Sequence, residues 1–202
     1  MRAPLVVFTL LTLLTGVVYP LLVTAAAAIL FPDIAQGSRL MVGERRVGSA
    51  LIGQAFDQPR YLWGRPSATL PAPYTAFDAT TKTGSAGSNF GPLHPALRSS
   101  VQARVAALRA CERAFGVAAE GPVPVDLVTA SASGLDPHIS PAAAAYQVER
   151  VARARGVPSE RVAAIVERHT VGRQLGFLGE PVVHVLGVNL ELDRELGTRD
   201  GR

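Results

Sequence analysis

The sequence predicts a single α/β (or α+β) domain preceded by one N-terminal transmembrane helix, and three observations carry the prediction. No charged side chain lies between Ala3 and Pro32. Beyond that stretch, segments with helical apolar spacing alternate with short β-like runs and Gly/Pro turns, as in mixed domains. The chain has 202 residues, and without the anchor about 170 remain, room for one core and not two. The division drawn is an anchor over residues 1–33 and an α/β domain over 34–202, interrupted by a long Gly/Pro/Ser-rich loop at about 66–95.

Leu5 to Leu30, as a helix, would reach roughly 39 Å against a hydrocarbon core of about 30 Å, long enough to cross with tilt. Pro20 within it is tolerable as a kink, because neighbouring groups satisfy the freed carbonyl. A cleavable signal peptide is the competing reading, with Arg2 as its charged start and Ala25-Ala26-Ala27 as its cleavage site. The apolar run continues through Ile29, Leu30 and Phe31, which favours the anchor. Arg2 precedes the span while Arg39, Arg45 and Arg46 follow it, so charge alone leaves the sidedness open.

Asp33 to Gln36 makes a polar exit, and Val47 to Ile52 reads as a strand ended by Gly53. Tyr61 to Ser67 sets an aromatic cluster beside Arg65. The irregular stretch from Pro66 to Pro95 is too long for an ordinary connection, and Ser85 to Pro92 offers hydroxyl and amide groups at fixed turns. His94 to Phe115 is a helix by the spacing of Leu97, Val101, Val105 and Phe115, with Gly116 as its stop. Val125, Leu127 and Val128 form a strand-like lead-in to a polar loop. Ser140 is placed as an N-cap with Pro141 at the first helical position. A helix then runs to Arg155, presenting Tyr146, Val148 and Val151, and another covers Pro158 to His169 with Val162, Ile165 and Val166 on its apolar face. Pro181 to Leu186 reads as a strand, and Val188 to Leu196 as its continuation or a short helix.

The net charge of +4 comes from scattered arginines and one lysine, Lys82. No basic stripe interleaves with aromatics, so no nucleic-acid partner is expected. Cys111 is the sole cysteine, which rules out an intrachain disulfide and a Cys-based metal site; it reads as a small buried thiol on a helix. His94, His138, His169 and His184 show no HExxH or other zinc spacing, so no metal site is assigned. Ser133, Asp136, His138 and Ser140 offer the residue types of a nucleophile, base and orienter, and the alternative function is accordingly a tethered or secreted serine hydrolase. No GxSxG elbow exposes either serine. Thr80 to Gly84 nearly reproduces the Asp-Lys-Thr-Gly phosphorylation signature of ion pumps, but Thr81 has no carboxylate to accept phosphate.

Taken in order, the segments Gly48 to Phe56, Tyr61 to Ala68, Ser85 to Pro92, Val123 to Pro141, Ala143 to Gly156 and Leu175 to Asp193 closely resemble the C subunit of the bacterial Kdp-type potassium-transporting ATPase. His184 stands where the resemblance leads one to expect asparagine. The resemblance implies a non-catalytic, single-pass accessory subunit of a high-affinity potassium uptake pump in the inner membrane, its domain extracytoplasmic. Its implied partners are a channel-like potassium-conducting subunit, a P-type ATP-hydrolysing subunit and the lipid bilayer. ATP with Mg and potassium would be used by the complex, with no cofactor assigned to this chain. Gln147 is carried over as the residue through which a catalytic chaperone raises the ATP affinity of the hydrolysing subunit. Arg65, Ser88, Asn89, Ser133, Asp136, His138 and Ser140 become interface or structural loop candidates.

Overall fold

The computed structural model describes residues 2–118 and 120–197. Helix α1 (Arg2–Leu13), a π-helical turn (Leu14–Val18) and α2 (Tyr19–Leu30) run on as one helix of 29 residues with no buried side chain. It is long and apolar enough to cross a membrane. The π turn is where the chain absorbs Pro20. Proline donates no N–H and its ring crowds the carbonyl four residues back, here that of Gly16. One residue earlier the bonding has already widened, with the Tyr19 N–H donating to the Leu14 carbonyl five residues back. The expected polar exit is a single helical turn, α3 (Pro32–Ala35).

Strands β1 (Arg39–Val42) and β2 (Arg45–Ser49) pair antiparallel across the two-residue loop Gly43-Glu44. Gly43 takes the positive φ of +60° that such tight hairpin loops require. The strand expected over Val47–Ile52 therefore lies further toward the N-terminus, because the hairpin turn sets its register. Residues up to Ser49 form one compact unit, and those from Ala50 onward a second.

The second unit begins irregularly, and only a small hairpin of β3 (Phe77–Asp78) and β4 (Thr83–Gly84) punctuates its long loop. Thr80 to Gly84 covers the turn of that hairpin and its second strand. The Asp78 carboxylate accepts the Thr81 N–H (2.6 Å) and hydroxyl (2.8 Å), which holds its pKa below the usual range. Helix α4 (Pro95–Ala114) follows, with the His94 Nδ1 accepting the Ala96 N–H as its cap. After it come a 3₁₀ turn (Val125–Leu127), β5 (His138–Ile139), α5 (Pro141–Arg155), α6 (Ser159–Arg168), β6 (Thr170–Val171), β7 (Val182–His184) and α7 (Val185–Leu196). The sheet has the order β5-β7-β6 and is antiparallel throughout. Its central strand buries Val183 among Ile139, Val151, Val162, Ile165, Val188 and Leu192.

Three expectations are corrected here. Val125 to Val128 is not a strand: the Leu127 and Val128 N–H groups bond back to the Pro124 and Val125 carbonyls, Val125 is 69% exposed, and only Leu127 and Val128 enter the core. Apolar residues at i, i+2 and i+3 fit one tight turn as well as a strand. Pro181 to Leu186 is strand only as far as His184. The His184 side chain caps a helix through the Gly187 N–H (2.9 Å), so Val185 and Leu186 are its first residues and Val188 to Leu196 is helical. Cys111 is half-exposed rather than buried; the fully enclosed residue of that turn of α4 is Glu112.

Candidate functional site

Pro59 to Gly64 has no regular structure of its own, so its backbone groups need partners from elsewhere. Two buried carboxamides supply them. Asn189 on α7 accepts the Leu62 N–H at Oδ1 and donates Nδ2 to the Leu62 carbonyl, both at 2.9 Å. Gln147 on α5 does the same for the next residue, accepting the Trp63 N–H (2.8 Å) and donating to the Trp63 carbonyl (3.1 Å). Each amide side chain thus replaces one neighbouring strand residue, and Leu62 is driven to 0% exposure between them.

Two arginines of α5 complete this brace. Arg150, fully buried, donates to Glu112 Oε1 (2.8 Å), to Gln147 Oε1 (2.7 Å) and to the Pro59 and Tyr61 carbonyls, and stacks on the Trp63 ring at 4.7 Å. Burial pushes the Glu112 carboxyl up in pKa against the opposing pull of Arg150. A buried pair of this kind adds little net stability by itself, but removing one partner strands the other. Arg155 donates to the Arg60, Leu192 and Gly197 carbonyls and to Asp193, and Asp193 also accepts the Tyr61 hydroxyl (2.8 Å). One irregular segment is therefore gripped from α5 and α7, with Glu112 of α4 holding Arg150 in place.

The polar loop before α5 docks on the Gly/Pro/Ser-rich stretch. The Ala86 N–H and the Ser85 hydroxyl both donate to the Ser133 carbonyl, and the Ser67 hydroxyl donates to the Gly134 carbonyl. Gly134 sits at φ +68°, and a Cβ there would lie 2.5 Å from the Ala86 carbonyl oxygen. The Tyr74 hydroxyl donates to the Arg65 carbonyl (2.5 Å), and its pKa is pushed up to about 12 by burial first and by Asp136 second. An open cleft of about 250 Å³ lies beside this contact, lined by Phe56, Trp63, Tyr74 and Leu127 together with Arg65 and Arg104.

The structure brings some of the candidate residues together and separates others. Arg65 pairs with Asp136 (3.2 Å), whose other oxygen accepts the His138 N–H and lies 3.7 Å from His138 Nδ1. Ser140 is the N-cap of α5, its hydroxyl accepting the Ala143 N–H (3.1 Å) and its own N–H bonding Asp126. Ser133 is exposed and accepts the Leu135 N–H. Among the described residues neither serine is hydrogen-bonded to His138, whose ring instead meets His184 edge-on at 5.5 Å. Ser88 is half-buried and Asn89 is exposed, its backbone at φ +51°. Gln147 is fully enclosed, with both carboxamide atoms bound to this chain. Sequence reading did not single out Asn189, Arg150, Glu112 or Arg155, since polar and charged residues of these types are ordinarily solvated. Among the described residues no three His, Cys, Asp or Glu groups are placed to hold a metal ion.

One apolar span among the described residues, joined to an α/β domain whose shaped loops are braced from within, fits a membrane-anchored, single-pass class of protein. The chain belongs to the K+-transporting ATPase c-chain (KdpC) family, whose family model matches residues 1–194. It is 58% identical over 193 residues to the potassium-transporting ATPase KdpC subunit of Sorangium cellulosum, covering 96% of each chain. It is 55% identical over 198 residues to the subunit of the same name from Variovorax paradoxus, covering 98% of this chain and 97% of that one. The Burkholderia vietnamiensis subunit is also 55% identical, over 196 residues covering 97% and 96% respectively.

Proposed function

We propose that this chain is the non-catalytic accessory subunit of a high-affinity, ATP-driven potassium uptake pump of the bacterial inner membrane. Residues 1–33 anchor it and residues 34–202 form its extracytoplasmic domain. It assembles with a channel-like potassium-conducting subunit and a P-type ATP-hydrolysing subunit. The observation that carries this reading is the match to the K+-transporting ATPase c chain through anchor and domain together. The side-chain geometry supports it, because the polar groups of the signature loops are committed to this chain's own backbone.

The same commitment supports an indirect role for Gln147. A carboxamide enclosed at 0% exposure acts on nucleotide affinity through the shape of the Tyr61 to Trp63 segment it holds. A raised ATP affinity in the hydrolysing subunit is then a conformational equilibrium biased from outside the nucleotide site. ATP, Mg and potassium belong to the complex. Arg65, Ser88, Asn89, Ser133, Asp136, His138 and Ser140 shape the face offered to partners.

The test is co-expression with the other pump chains, purification in detergent, and comparison of potassium-stimulated ATPase activity with and without this chain. Loss of activity or of its ATP affinity on omission is expected. Assembly and equal turnover without the chain refute the proposal. Protease accessibility in sealed vesicles, inside-out against right-side-out, reads the sidedness.

A further inference from the structure

The turn between β6 and β7 spends stability on displaying apolar side chains. Leu175 is 83% exposed, Phe177 69% and Leu178 48%, with Val171 at the root 56% exposed. The turn is nonetheless well closed. Gln174 and Leu178 exchange backbone bonds at 2.8 and 2.9 Å, the Phe177 N–H donates to the Gln174 carbonyl, and the Gly176 N–H to that of Arg173. Arg173 spans the base to Glu180 at 2.7 Å. Leu175 holds φ +53°, a left-handed conformation that a leucine adopts only where its surroundings impose it. An apolar group presented in this way, on a preordered support, loses little further conformational entropy on docking.

Three kinds of surface could receive it, and size and charge discriminate among them. At about 150–200 Å² for a large side chain in full, the exposed part of the tip amounts to roughly 400 Å², against about 800 Å² that each partner contributes to a standard interface. A dimer of two such tips falls short. A contact this small suffices when a second attachment, such as a membrane span, already holds the two proteins close and makes the docking effectively intramolecular. An anionic lipid surface is a poor match, since the collar carries no net positive charge and exposes the Glu180 carboxylate at 77%. The tip also has no Trp or Tyr of the kind that settles at headgroup level.

We propose that the Leu175–Phe177–Leu178 tip is a docking knob that seats in an uncharged, apolar pocket on another chain of the K+-transporting ATPase. This rests on the subunit reading given above. The test uses the full-length chain co-expressed with the other pump chains. Leu175→Ser/Phe177→Ser is expected to weaken retention of the chain by the detergent-purified complex by about a hundredfold or more, the loss of two buried apolar side chains. In parallel, a photo-reactive benzoyl-phenylalanine at position 177 is expected to cross-link in membranes to a partner chain. That aromatic replacement keeps the readout available if the double variant fails to accumulate. Cross-linking only to lipid or to a second copy of this chain overturns the inference, as does no adduct at all. Undiminished retention of a folded double variant overturns it too, while leaving the subunit reading intact. Failure of the wild-type chain to co-purify overturns both.

Discussion

Replacing Gln147 by alanine tests the brace most directly. The substitution removes the acceptor of the Trp63 N–H and of Arg150 Nη2, and the donor to the Trp63 and Ala143 carbonyls. The Arg150 guanidinium keeps its bonds to Glu112, Pro59 and Tyr61, so the main losses are the two Trp63 backbone groups. At about 1–3 kcal/mol for each buried group left unsatisfied, with a cavity where the side chain stood, the expected destabilisation is about 3–5 kcal/mol. That is a large share of a typical stability of about 5–15 kcal/mol. Gln147→Glu keeps the acceptor but loses the donor and sets a second carboxylate near Arg150, for which about 1–2 kcal/mol is expected. Urea unfolding of the full-length chain in mild detergent, followed by fluorescence, reads both variants. Trp63 is the only tryptophan, so the signal reports the braced segment itself. An alanine variant within about 0.5 kcal/mol of wild type would refute the argument that the carboxamide holds this segment.

Three further outcomes follow from the same geometry. Ser140→Ala should cost about 1 kcal/mol by thermal unfolding, the worth of an N-cap, and Ser140→Asp should largely restore it; no loss on alanine substitution would show that the cap is idle. Gly134→Ala should cost more than about 3 kcal/mol, since it combines a positive φ with a 2.5 Å clash against the Ala86 carbonyl, and wild-type stability would mean that the two loops are not in contact. The His184 pKa is lowered, chiefly by burial and further by His138 and His169, and its Nδ1 must stay unprotonated to cap α7. With the folded pKa below the ordinary value, its stabilising contribution is present above pH of about 6.5 and lost as pH falls through the lowered value. His184→Asn, which can cap without titrating, should flatten that acid-side decline, and an unchanged slope in a pH series of melting temperatures would refute the assignment.

Local signals made much of the fold legible. Helices α4, α5 and α6 followed from apolar spacing, and the Ser140-Pro141 start of α5 from cap chemistry within four residues. The beginning of α7 was hidden because histidine is an uncommon cap, and because Gly187 and Asn189 are weak helix formers. Asparagine at position 184, which the resemblance suggests, would have given a plainer signal for the same bond. The brace could not be read at all. Gln147, Glu112 and Asn189 lie on three helices, and each becomes informative only when its partners, 38 to 127 residues away, close around it. Arg150 illustrates the limit: a charged residue on a helix is ordinarily solvated, and only the convergence of Glu112, Gln147 and the Pro59 carbonyl explains its burial.

The π turn at Leu14–Val18 has a consequence for how the span meets its surroundings. Each residue of an α-helix advances about 100° around the axis, and a π turn takes in one residue more than an α turn. A line of side chains followed up α1 therefore does not continue along α2; it resumes about 100° away. Seen from the side, the two halves of the helix present differently oriented stripes, so a straight neighbour cannot track a single stripe along both. Excising one residue from Leu14–Val18 would bring the halves back into phase while shortening the span by only about 1.5 Å, separating the importance of facing from that of length.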